Sequence, residues 1–177
     1  MAEIEIRTTV STDLARLSAL DHTIDTDYVW QLDLHREAGK VEVSLHEVRL
    51  PRSVRLEHPR PAKDLPDTWH LRPMLSAMLG MEAVAYVRFT DEIVPHAVWI
   101  TDVVVGKSMR GKGLAHKLLN AAEAWGLQRG LRRAIIEVQS KNAPAIRMVQ
   151  KLGFEFCGYN DHYYSNRDVA LFFARSI

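Results

Sequence analysis

Three groups of residues in this 177-residue chain have types and spacings that do chemistry. After Val103, Val104 and Val105 comes a short basic loop, Arg110, Gly111, Lys112 and Gly113, which runs at once into Leu114, Ala115 and His116. Successive backbone N–H groups in such a loop, backed by the dipole of a following helix, make an anion site suited to a diphosphate. The glycines let the backbone approach such a group closely. In the second group, Glu137 interrupts the apolar run Ala134, Ile135, Ile136, Val138. A carboxylate is costly to bury without a purpose, so Glu137 is a candidate proton acceptor, with Asp102 in reserve. The third group is Tyr159, Tyr163 and Tyr164, candidate proton donors that fit core or pocket wall more readily.

Each group has a plainer reading. Glu137 could pair with an arginine such as Arg147, or face solvent. The loop could be an ordinary glycine-rich turn. A Walker loop fails because no hydroxyl follows Lys112, although Gly106 and Gly111 have the right spacing. A dinucleotide fingerprint needs a third glycine where His116 stands, although Glu137 lies at about the right distance for a ribose. His116 reads better as a neighbour of phosphate than as a catalyst. The eight histidines show no metal-ligand spacing and Cys157, the single cysteine, has no partner, so no metal is expected.

The elements that must position these residues follow from periodicity. Residues 3–10 alternate as a half-buried strand, and Ser11 caps a helix to about Leu20. Residues 21–33 are mixed, helix or loop, with Tyr28 and Trp30, and Trp69 further on, as candidate walls of an acceptor pocket, although Trp69 fits core packing better. Residues 41–50 alternate as a strand. Residues 57–68 hold three prolines and read as an extended connection, and 69–79 as a short helix ending at Gly80. Residues 83–89 and 97–105 make a hairpin. Leu114, Leu118, Ala122 and Trp125 recur at helical spacing before Gly130; 134–138 is a buried strand; Asn142 and Pro144 open a helix that ends at Gly153. Residues 154–159 and 169–173 are the last strands. The order predicts an α/β or α+β fold in one domain over 1–177.

Composition bounds the function. With 23 basic and 22 acidic residues the chain has no overall attraction for nucleic acid. Arg49, Arg52, Arg55, Arg60 and Lys63 cluster, but Glu57 and Asp64 dilute them, and the group reads as a solvated loop. The N-terminal residues lack a signal-peptide pattern, no segment is apolar enough to span a membrane, and one cysteine fits a reducing compartment. A cytoplasmic protein is expected. The exposed edge of the last strand would allow a homodimer, though nothing requires it.

Arg110, Gly113 and Ala115 after a strand match an R/Q-x-x-G-x-G/A signature. A second block is matched by residues 137–142, by Ala145 and Ile146, and by Lys151, Leu152, Gly153 and Phe154. On these residues the chain resembles the GNAT superfamily of acyl-CoA N-acyltransferases, well over residues 83–177 and in outline before that. The resemblance implies a mixed central sheet splayed into a V, with helices on both faces and acetyl-CoA in the opening. Residues 97–154 would be the acetyl-CoA-binding core. Val103, Val104 and Val105 would hold the pantetheine through backbone groups, residues 110–116 the pyrophosphate, and Asn142 the coenzyme arm. In related N-terminal acetyltransferases the glutamate matching Glu137 accepts a proton through water. The segment 163–173 is similar to the end of streptothricin acetyltransferases and, more loosely, of ribosomal-protein N-terminal acetyltransferases.

One departure bears on mechanism. Many superfamily members have a tyrosine where this chain has Val149, and a general acid contributes about a hundred- to ten-thousandfold in rate. A thiol of pKa about 8.5 leaves tolerably without one, and Tyr164 or its neighbours offer a substitute. The expected function is transfer of an acetyl group from acetyl-CoA to a primary amine of a small molecule or peptide N-terminus. The alternatives are an acyl-CoA-binding module with little turnover, and a nicotinamide-dependent oxidoreductase.

Overall fold

The computed structural model describes residues 3–177. The chain runs through β1 (Ile4–Thr8), α1 (Leu14–Ser18), β2 (Ile24–Glu37), β3 (Lys40–Leu56), α2 (Leu65–Thr68), β4 (Met74–Leu79) and β5 (Glu82–Thr90). It continues through β6 (Ala97–Val105), α3 (Leu114–Leu127), β7 (Arg133–Gln139), α4 (Ala143–Lys151), β8 (Glu155–Asn160) and β9 (Ala170–Ser176). Seven strands share one sheet in the order β1-β4-β5-β6-β7-β9-β8, and β2 with β3 form a separate two-stranded sheet. The architecture is α+β, with a mixed, mostly antiparallel sheet.

Both faces of the sheet are covered because the central strands alternate between two apolar clusters. Ala85, Val87 and Phe89 of β5 join Leu114, Leu118 and Ile146 of α3 and α4 on one face. Tyr86 of β5 joins Leu14, Leu17 and Leu65 of α1 and α2 on the other. Val149 is fully buried in the larger cluster, so at that position the chain has packing and not a hydroxyl.

The feature that makes a site is the one parallel pairing among the described residues. Strands β6 and β7 are in register only from Ala97 and Arg133 to Ile100 and Ile136. Beyond that point they part, which is the expected V. Thr101 is an extra residue against β5, where the register jumps from Phe89–Ile100 to Arg88–Asp102. Such a bulge bends its strand and increases the local twist, which starts the divergence.

Five expectations need correction. The connection 57–68 is extended only in its first half, and Ala62–Asp64 and Leu65–Thr68 turn into a 3-10 turn and α2, with Pro66 at the helix start. Residues 21–33 are largely strand: β2 pairs along its length with β3, which runs well past residue 50. Its polar face lies in solvent and its apolar face is only partly covered, so no clean alternation of burial marked it. The helix expected over 69–79 is one 3-10 turn, Trp69–Leu71, followed by strand β4. Pro73 interrupts it, and the gap between β1 and β5 recruits the apolar run that follows. The first helix is shorter than expected, ending at Ser18, and its first turn is capped at Val10 and not Ser11. Finally, the last strand is not an edge, because β9 lies between β7 and β8, so the free edges belong to β1 and β8.

Candidate active site

The loop after β6 builds the first part of the site. Gly111 and Gly113 take φ of 74° and 78°, the left-handed region. A Cβ would meet nothing within 4 Å at either, so what calls for glycine is conformation and not closeness. Gly113 caps α3, no side chain caps the helix, and the first bond back into the turn runs from the Lys117 N–H to the Gly113 carbonyl. The N–H groups of Leu114, Ala115 and His116 therefore have no helical acceptor, and those residues line a cleft of about 670 Å³. That is the geometry of an anion cradle, and it fits a diphosphate.

The flanking basic residues do something other than expected. Arg110 donates to three backbone carbonyls, Val105 at 2.9 Å, Thr23 at 2.9 Å and Asp21 at 2.6 Å. It ties the loop to the segment before β2 while still lining the cleft. Lys112 is exposed, reaches the Met109 sulfur, and does not line the cleft.

The cleft lies in the V. Val103, Val104 and Val105 form one wall, with the Val104 side chain turned into the core. Ile136 to Gln139 and α4 form the other, with Asn142 at the helix start. The Asn142 side chain accepts the Ala145 N–H at 3.1 Å, so its first task is to cap α4.

A second cavity of about 390 Å³ opens between α2, β5 and the segment before β9. Asp102, Tyr164 and Pro59 line both cavities, so this is where the two meet. Asp102 and Glu137 are buried there, 4% and 5% exposed. Arg60 joins them: one terminal nitrogen donates to Glu137 Oε1, the other to the Thr101 carbonyl at 2.9 Å and to Asp102 Oδ1 at 3.2 Å. The second Glu137 oxygen accepts from Trp99 Nε1 at 2.6 Å and from the Tyr163 hydroxyl at 2.8 Å. Glu137 is thus held by three donors. Asp102 Oδ2 accepts from the Thr101 hydroxyl at 2.8 Å, and His58 Nε2 stands 3.6 Å from Asp102 Oδ1.

The charges shift accordingly. Burial alone would raise the Asp102 carboxyl, but the neighbouring positive charges, that of Arg60 foremost, outweigh it and hold it below the usual range. Burial works against the Arg60 charge, and the two carboxylates more than offset it. The Tyr163 hydroxyl is pushed up to about 12, first by burial and then by Glu137. Tyr164, raised mainly by burial, stacks beside Arg60, whose guanidinium carbon is 5.5 Å from its ring centre.

Of the residues expected from sequence, Glu137, Tyr164, Asn142, Val103 to Val105 and the glycine loop come together around one cleft. Tyr159 packs against the core, Trp30 does the same, and Tyr28 lies under Arg147. The aromatics of β2 therefore do not shape the second cavity. Arg147 pairs with Glu47 at 2.7 Å and not with Glu137. Sequence reasoning missed Arg60, set aside as part of a solvated cluster, and His58. The signal available was local: His58 and Arg60 alternate with Pro59 and Pro61, a rigid frame for two polar side chains. Trp99 is a further residue that no local pattern pointed to, its indole N–H donating to Glu137.

Comparison with known proteins agrees with this geometry. The profile of the Acetyltransferase (GNAT) family matches residues 43–154, more than half of the chain. A streptothricin acetyltransferase of Streptomyces lavendulae is 32% identical over 87 residues, 49% of this chain. The match spans only 43% of that relative's length. The crystal structure of nourseothricin acetyltransferase superposes with a TM-score of 0.82 at 23% identity, over 99% of both chains. A Bacillus anthracis protein named as a streptothricin acetyltransferase, solved in complex with acetyl coenzyme A, gives 0.76 at 18% identity, over 99% of this chain and 100% of its own. With the sheet parted between β6 and β7, glycines opening α3, and a family profile running across both, the chain belongs to the acetyltransferase (GNAT) family.

Proposed function

We propose that the protein transfers an acetyl group from acetyl-CoA to a primary amine. The observation that carries the reading is the junction of two cavities at a pair of buried carboxylates, with an anion cradle at the far end of one of them. Acetyl-CoA fits the larger: its diphosphate at the first turn of α3, its pantetheine along residues 103–105, its thioester near Asp102, Glu137 and Tyr164. The amine fits the smaller, where Asp102 stands at the inner end, and streptothricin or a peptide N-terminus are the candidate acceptors. Asn142 acts on the coenzyme side by fixing the start of α4. Tyr164 is the proposed proton donor to the departing thiolate, because its ring lines both cavities while Tyr163 is engaged by Glu137. Glu137 is the proposed proton acceptor expected from the sequence, and it also holds Arg60, Trp99 and Tyr163 in place. Acetyl-CoA chemistry and a lone cysteine, exposed on β8, suit the cytoplasm.

The test combines titration of acetyl-CoA by calorimetry with thiol release over a panel of streptothricin, lysine and a peptide with a free N-terminal alanine. Binding and turnover with at least one amine are expected. Binding with no turnover over any amine would favour an acyl-CoA-binding module. Indifference to coenzyme A alongside binding of NAD would favour an oxidoreductase.

A further inference from the structure

Acetyl transfer needs a neutral amine, and neither carboxylate at the junction is well suited to make one. Glu137 already accepts from Arg60, Trp99 and Tyr163, which tie it to the wall of the site. Asp102 is held below the ordinary carboxyl range. Taking a proton from a lysine-type ammonium of pKa about 10.4 is unfavourable by about a millionfold for an ordinary carboxylate near 3.9, but by about ten-thousandfold for an imidazole near 6.5. General-base efficiency follows that difference.

An imidazole stands in the right place. His58 lines the coenzyme cleft, and its neighbour Pro59 lines both cavities. His58 Nδ1 lies 2.9 Å from the Arg60 carbonyl and 3.2 Å from the Arg60 N–H, and the shorter contact suits a proton on Nδ1 donated to the carbonyl. That tautomer leaves a lone pair on Nε2, which has no hydrogen-bond partner among the described residues and stands 3.6 Å from Asp102 Oδ1. A proton gained there meets a fixed negative charge. The groups facing His58 are Asp102 and His22, whose ring centre is 5.9 Å away, with Arg60 on the same segment. Behind these lie Tyr86, bonded to His22, and Arg88, 4.0 Å from Asp102.

Resting on the acetyl-transfer reading, we propose that His58 is the base that deprotonates the acceptor amine, and that Asp102 is the positioning residue that stabilises the resulting imidazolium. The ammonium gives one proton to His58 Nε2. The freed lone pair forms the N–C bond at the thioester carbonyl, the C–S bond breaks, and its electron pair leaves on sulfur. The thiolate takes the Tyr164 hydroxyl proton, and Tyr164 is restored by the second proton of the amine nitrogen. The His58 proton passes to water at the cleft mouth.

The experiment compares wild type, His58→Gln, His58→Ala and Glu137→Gln as full chains, using the amine of the panel that gives the fastest thiol release. His58→Gln is expected to lose about a hundredfold in kcat/KM, to lose the acid limb of the pH profile, and to bind acetyl-CoA within threefold of wild type. Free imidazole in the buffer should restore His58→Ala at least tenfold and leave Glu137→Gln unchanged. A His58→Gln enzyme within threefold of wild type, or an acid limb that persists in it, overturns the proposal, as does absence of imidazole rescue. If instead the wild type binds acetyl-CoA and acetylates no amine, the acetyl-transfer reading falls first and the role of His58 with it.

Discussion

Arg60 shows how much of the site depends on one side chain. It donates to Asp102, to the Thr101 carbonyl and to Glu137, and it comes from a segment framed by prolines, so little of its backbone freedom remains to be lost. A buried pair adds little net stability compared with an apolar replacement of both partners, but removing one partner strands the other. Arg60→Met strands two carboxylates, which keep only Trp99, Tyr163 and Thr101 as donors. The expected loss is about 3 kcal/mol of unfolding free energy, read as a lower urea midpoint. Adding Glu137→Gln to Arg60→Met removes one of the stranded charges and should raise the midpoint again. A midpoint within error of wild type in the single variant would mean that water replaces the guanidinium and that the ion cluster is a surface feature.

At the level of elements, the cradle is a property of where α3 begins, and that is set by two glycines with positive φ. Holding an L-residue in that region costs about 1–2 kcal/mol. No neighbour would clash with a methyl group at Gly113, so Gly113→Ala should leave the fold intact and tilt the loop away from the cradle geometry. The expected readout is an acetyl-CoA dissociation constant raised about tenfold, with the melting temperature lowered by only a few degrees. Unchanged affinity would place the diphosphate elsewhere. This loop was legible in the sequence because glycine, helix periodicity and a preceding strand are local signals. So were β5, β6, β7 and both helices that flank them. The hairpin β2–β3 was only half legible, since a two-stranded ribbon with one solvated face gives weak burial contrast, and β4 was hidden behind a helix-like apolar run that only its neighbours in the sheet convert to a strand. His58 and Arg60 were invisible for a different reason: their partners Asp102 and Glu137 lie 42 and 77 residues away from Arg60, and no local pattern reports a contact at that range.

At the scale of the whole molecule, the same burial that shapes the site makes the fold sensitive to acid in two separate ranges. His22 donates or accepts at both ring nitrogens, to the Leu20 carbonyl at 2.7 Å and the Tyr86 hydroxyl at 3.2 Å, in the seam between the first cluster of helices and the base of the hairpin. Burial lowers its pKa below the ordinary 6.5, so the fold binds its proton more weakly than the unfolded chain does. Its contribution is therefore present above about 6.5 and is lost as the pH falls from there through its folded value. Asp13, bonded twice by Arg7, and Asp102 are also depressed, Asp13 chiefly by the Arg7 hydrogen bonds. Their contributions persist above the ordinary carboxylate value of about 3.9 and are lost below it. The melting temperature should then fall in two steps as pH drops from 8 to 3. His22→Gln keeps a polar group for Tyr86 but cannot be protonated, so its melting curve should be flat from pH 7 to 5 and drop only in the second step. A first step that survives in His22→Gln would assign the upper transition to another histidine, and a single smooth decline in the wild type would mean that His22 is not shielded from water in solution.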